Sequence, residues 1–207
     1  MILEGIVTTI GPDGGMHVAA MGPHVADPPP GRAAGTPACI ERLLLRPFAT
    51  SQTGANLLAV PEGVFHLTDD ALLLARVVTG TLPAEPASRP ASSVRGRVLA
   101  DACRAYEFRI ETIDRSQERL RLEARVVAEH AGRPFLGFNR ARHAVVEGAI
   151  LVTRLHLLGA AEVMRQLQDL AVLVEKTGGP DEHAAFRLLE ERAASAGDVR
   201  APHGPGA

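Results

Sequence analysis

Tyr106-Glu107-Phe108-Arg109-Ile110-Glu111 alternates apolar with charged residues, and Leu120-Arg121-Leu122-Glu123-Ala124-Arg125-Val126 does the same after Asp114-Arg115-Ser116-Gln117-Glu118. A period of two puts one face in water and the other in a core, the mark of an antiparallel ribbon. The two runs predict an antiparallel sheet, and barrel closure is the economical way to hide its edges. Glu107, Arg109 and Glu111 share one face of the first run and read as a solvated charge ladder.

On the N-terminal side, Val64 to Thr68 reads as a strand. Asp69-Asp70 caps a helix carrying Leu72, Leu73, Leu74, Val77 and Val78, closed by Gly80. Thr81 to Ser93 has little apolar content and reads as a surface connector. Ile2 to Ile10 and Met16 to Met21 flank Gly11-Pro12-Asp13-Gly14-Gly15 and predict a β-hairpin. Asp27 to Pro37 is too rich in Pro and Gly for a regular element. Cys39 to Leu45 is a third strand, stopped by Pro47. Beyond Pro134 the period becomes helical over 141–158, 160–176 and 181–196, with breaks at Gly159 and Gly178-Gly179-Pro180. Val163, Leu167, Leu170, Leu173 and Val174 form an apolar stripe suited to a core or a dimer seam. The organisation predicted is a sheet domain over 1–137, a helical segment over 138–197, and a disordered tail over 198–207.

The chemistry concentrates where the third strand ends. Arg46-Pro47-Phe48-Ala49-Thr50-Ser51-Gln52-Thr53-Gly54-Ala55-Asn56 sets an arginine, three hydroxyls and an amide around the start of a short helix, about Ser51 to Val60. A helix start leaves N–H groups unpaired and carries partial positive charge, which stabilises an anion. Thr50, Ser51, Thr53 and Asn56 add donors, and Arg46 a planar fork matched to phosphate oxygens. The competing reading is an ordinary N-cap at Thr50 or Ser51. A cap uses one hydroxyl and leaves Arg46, Thr53 and Asn56 unexplained, and that surplus favours a phosphorylated cofactor.

Composition excludes several classes. The net charge of −2 and the lack of a Lys/Arg run interleaved with aromatics argue against nucleic acid. Two distant cysteines and scattered histidines give no metal-ligand spacing. No apolar run reaches the ~20 residues of a membrane span, so a cytoplasmic protein with no membrane partner is expected. There is no G-x-S-x-G, H-E-x-x-H or G-x-x-x-x-G-K-[ST] motif.

The chain resembles the DUF447 flavoprotein family of archaea and some bacteria. The resemblance rests on Glu4-Gly5-Ile6-Val7-Thr8-Thr9 with Ala20-Met21-Gly22-Pro23, and on Leu45-Arg46-Pro47-Phe48 with Thr50-Ser51-x-Thr53-x-x-Asn56-Leu57. Gly63-Val64-Phe65-His66-Leu67-Thr68-Asp69-Asp70 and Phe138-Asn139-Arg140-Ala141 extend it. It implies an α+β fold, an antiparallel FMN-binding split β-barrel with a C-terminal helical segment, assembled as a homodimer. It implies FMN as cofactor, its phosphate held by Arg46, Thr50, Ser51, Thr53 and Asn56. Thr8, Thr9, Met21 and Gly22 would line the isoalloxazine or ribityl region, with Asn139 and Arg140 approaching from the C-terminal part. The function implied is an oxidoreductase passing hydride or electrons to a small, pterin-like molecule. A flavin carrier, sensor or assembly protein, or a split barrel binding another phosphorylated cofactor, is the alternative.

Overall fold

The computed structural model describes residues 1–26 and 40–197. The Pro/Gly segment 27–37, Cys39 and the expected tail lie outside the described residues.

Two compact units emerge, one of residues 1–69 with 84–135, the other of 70–83 with the chain from 136 onward. The first is an antiparallel sheet of β1 (Gly5–Ile10), β2 (Met16–Met21), β3 (Arg42–Leu45), β4 (Glu62–Leu67), β7 (Arg104–Asp114) and β8 (Arg121–Ala131), in the order β2-β1-β4-β7-β8-β3. The alternating runs form β7 and β8, paired from Arg104↔Ala131 to Asp114↔Arg121 with two register shifts.

The sheet does not close into a continuous barrel. Its edges, β2 and β3, meet through one bridge beyond the end of β2, where His24 and Leu44 exchange backbone hydrogen bonds of 2.9 Å each way. The barrel is therefore split, and Val7, Leu45, Phe65, Tyr106, Phe108 and Leu122 fill its interior. Gly63, near the start of β4, permits the β1–β4 approach: a Cβ there would lie 2.8 Å from the Thr8 carbonyl oxygen.

The connector expected over Thr81 to Ser93 contains structure. β5 (Ser88–Pro90) pairs with β6 (Arg97–Leu99) as a small hairpin on the sheet's outer face, where Val98 packs with Val64 and Ala105. Glu107 is correspondingly fully buried, which corrects the solvated reading; Arg109 and Glu111 do face water. Alternation reports which residues share a face, but not whether a distant segment covers it.

The second unit gathers α2 (Ala71–Thr79), α3 (Arg140–Thr153), α4 (Leu155–Leu158), α5 (Ala160–Thr177) and α6 (Pro180–Gly197). α2 thus joins the C-terminal helices, not the sheet domain to which the sequence reading gave it, because its buried Ala71 and Ala75 belong to their core. The expected helix over 141–158 is interrupted at Arg154. On α5, Val163, Leu167 and Val174 are buried, and Leu170 and Leu173 pack beside them. Gly148 sits where a Cβ would meet Leu167 and Leu189 at 3.0 Å, so its missing side chain lets three helices approach. No described helix is long and apolar enough to cross a membrane.

Candidate functional site

Leu43 and Leu45 point into the barrel, so alternation sends Arg46 outward. The ladder continues past Pro47: Leu120 N–H donates to the Pro47 carbonyl at 2.9 Å and Ala49 N–H to that of Glu118 at 3.1 Å. The carbonyl of Phe48 then accepts from Ser51 N–H at 3.0 Å and from the Ser51 hydroxyl at 2.7 Å. The Ser51 oxygen in turn accepts from Gly54 N–H at 3.0 Å, making Ser51 the N-cap of α1 (Gln52–Ala59). Gly54 is sterically required, because a Cβ would stand 2.4 Å from the Phe48 oxygen.

The corner residues divide by what already engages them. The Asn56 amide donates to the Thr9 hydroxyl at 3.0 Å and its oxygen accepts from Gln52 at 2.7 Å, which locks α1 to β1 in a buried polar contact. Asn56 and Ser51 thus have structural duties that need no ligand. Thr53 is 4% exposed, in the first turn of α1. Thr50 is exposed at the helix start. Arg46 is also exposed; its contact is a long one, 3.4 Å to the Gln117 amide oxygen, and no carboxylate pairs with it among the described residues.

Other candidates are distributed elsewhere. Thr8 and Thr9 are neighbours on β1 and face opposite ways. Thr9 meets α1, whereas the Thr8 hydroxyl donates to the Arg97 carbonyl at 2.6 Å beneath the β5–β6 hairpin. Met21 pairs with Gly5 and Thr9 with His17, so Met21 and Gly22 lie about 13 Å or more along the ribbon from Thr9. Gly22 is explained by crowding, since a Cβ would meet Ile2 at 2.6 Å. Asn139 belongs to the helical unit, where it caps α3: its oxygen accepts from Arg142 N–H at 3.1 Å and its amide donates to the Thr177 carbonyl at 3.0 Å. Arg140 is exposed.

Two constellations escape the sequence reading. Arg119 lies with its guanidinium 3.9 Å from the Phe48 ring centroid and donates to the Arg46 carbonyl at 3.2 Å. The second is the polar floor under the hairpin. Glu107 accepts from Ser92 N–H and Ser93 N–H at 2.6 Å each and from the Ser92 hydroxyl at 2.9 Å, and lies 2.6 Å from His130 Nε2. Burial works against its charge, but these hydrogen bonds outweigh it and hold the carboxyl below the usual carboxylate range. His66 is buried beside it. Leu99 N–H donates to His66 Nε2 at 3.0 Å, so the proton sits on Nδ1, 3.2 Å from the Ile6 carbonyl oxygen. Burial, first of all, pushes this imidazole down to about 4. His17, across from Thr9, is also lowered by burial.

The sequence matches the model of the DUF447 N-terminal domain, described as a protein of unknown function, over residues 3–133, and the companion DUF447 model over 139–191. Among solved structures it is similar to an FMN-bound DUF447 protein from Methanosarcina mazei, at 22% identity and a TM-score of 0.74, over 92% of this chain and 94% of that one. It is more distantly similar to the styrene monooxygenase flavin reductase of Pseudomonas putida S12, at 13% identity and a TM-score of 0.48 over 64% of this chain and 82% of that one. Nitrilotriacetate monooxygenase component B from Bacillus cereus aligns at 16% identity and a TM-score of 0.49, over 64% of this chain and 71% of that one. No curated protein matches the sequence.

Proposed function

The chain belongs to the DUF447 family, and from that premise we propose that it is an FMN-binding flavoprotein whose phosphate grip is the corner between β3 and α1. The observation that carries this reading is the set of donors at that corner that the fold itself does not consume. Arg46 has no carboxylate partner among the described residues, and Thr53 and Thr50 add hydroxyls at the same helix start. Gly54 N–H is taken by the Ser51 cap, and the α1 N–H groups before it have, as at any helix start, no intrahelical acceptor. A phosphate monoester satisfies all of these together. The FMN-bound relative in Methanosarcina mazei, which shares this fold, supports the same reading.

Arg46, Thr50, Thr53 and the α1 N–H groups hold the phosphate. Ser51 caps the helix, and Asn56 keeps the corner rigid by tying α1 to Thr9. FMN supplies hydride and electron transfer, so the chain has only to bind, orient and shield it. The function is an oxidoreductase with a small-molecule acceptor, in a homodimer; Leu157, Leu158 and Val172, exposed on the helical unit, are apolar surface suited to a partner copy.

Purified protein should be yellow with a flavin spectrum, release FMN on denaturation, and bleach anaerobically with NADH or NADPH. Colourless protein that leaves the fluorescence of added FMN unchanged refutes flavin binding. Bound flavin that neither nucleotide reduces removes the oxidoreductase reading for those donors.

A further inference from the structure

We infer that Arg119, from the turn between β7 and β8, is the second cation of the phosphate grip and makes the site selective for FMN over riboflavin. The inference rests on the flavin-binding reading above and goes beyond it by adding a residue and a ligand preference.

The register brings the two arginines together. Leu45 pairs with Leu122 and Phe48 bridges to Arg119, so Arg46 and Phe48 share a face of this ribbon with Gln117, Arg119 and Arg121. Pro47, Leu120 and Leu122 occupy the opposite, buried face. On the shared face the Arg46 guanidinium reaches towards the Gln117 side chain, while that of Arg119 lies over the Phe48 ring and donates to the Arg46 carbonyl.

The same Phe48 carries the carbonyl on which Ser51 starts α1. Arg119 is therefore fixed to the residue that launches the helix. A guanidinium has five N–H donors, and Arg119 uses one here in a hydrogen bond. Stacking on Phe48 restricts the side chain in advance, which reduces the entropy lost when a ligand is held. Neither Arg46 nor Arg119 is paired with a carboxylate among the described residues. Arg121, on the same face, is paired with Glu123 at 2.8 Å. Two arginines with spare donors match the charge of a phosphate monoester, about −1.5 to −2 at neutral pH. Riboflavin, lacking that phosphate, gains nothing from them.

The test is titration of flavin-free protein with FMN and with riboflavin, following quenching of flavin fluorescence, in the wild type and in Arg119→Gln, Arg119→Lys and Arg121→Gln. The wild type should prefer FMN. Arg119→Gln should weaken FMN binding about ten-fold or more, leave riboflavin binding within about two-fold, and flatten the salt dependence of FMN affinity. Arg119→Lys should recover part of the loss, and Arg121→Gln should match the wild type. Equal weakening of both flavins by Arg119→Gln means a structural role and overturns the inference, as does unchanged FMN affinity; either result leaves the flavin reading intact. A wild type that binds neither flavin overturns both.

Discussion

Lowering the pH should loosen the β5–β6 hairpin through His66. This imidazole has a folded-state value of about 4 against an ordinary 6.5, so as pH falls the unfolded chain takes up the proton first. The contribution to stability is complete above the unfolded value and is lost as pH drops from there towards about 4. The loss is about 2 kcal/mol between about pH 7 and about pH 5, and about 3 kcal/mol in all. The first cause is burial, which penalises the charged ring; protonation at Nε2 also destroys the acceptor for Leu99 N–H. Glu107 and His130 face the same hairpin, and Glu107, its carboxyl also lowered, acts in the same direction at lower pH. The chain has one tyrosine and no tryptophan, and Tyr106 is buried in the sheet, so tyrosine fluorescence of flavin-free protein during urea unfolding reports this unit. His66→Gln should be less stable than the wild type at neutral pH, and the gap should narrow by about 2 kcal/mol by about pH 5. An NMR titration should find the His66 ring neutral at about pH 5. A ring titrating near its ordinary value, or parallel stability profiles for wild type and variant, refutes the reasoning.

Glu107→Ala leaves Ser92 and Ser93 N–H without their acceptor, so the sheet unit should lose about 2–4 kcal/mol and both amides should exchange with solvent much faster, measurable by hydrogen exchange. Arg46→Ala should release flavin with little change in melting temperature, since the side chain is exposed, at about 1.5–3 kcal/mol of binding by equilibrium titration; unchanged affinity removes Arg46 from the site. Gly54→Ala drives a methyl against the Phe48 carbonyl and should cost about 1–3 kcal/mol while weakening flavin binding, because the helix start must shift. Asn56→Ala removes the Thr9 contact and should destabilise the sheet unit by about 1–3 kcal/mol, read in the same urea unfolding; an unaltered midpoint dismisses that tie.

The alternation of Tyr106 to Glu111 and of Leu120 to Val126 was enough to specify an antiparallel ribbon, because strand periodicity is a property of consecutive residues. The Asp70 cap and the helical stripe on α5 were legible for the same local reason. Facing, register and cover were not local. The sequence could place Thr8 and Thr9 side by side, but only packing shows one beneath the hairpin and the other against α1. It marked Glu107 as a surface charge because nothing in the ribbon reveals that Ser92 and Ser93, fifteen and fourteen residues earlier, fold back to bind it. Nothing local singles out Arg119; the pairing of Phe48 with it, across 71 positions of chain, carries it to the helix start. Residue order determines what each segment does with its neighbours, whereas hydrogen bonding between segments remote in sequence determines which polar groups the fold consumes and which remain for a ligand.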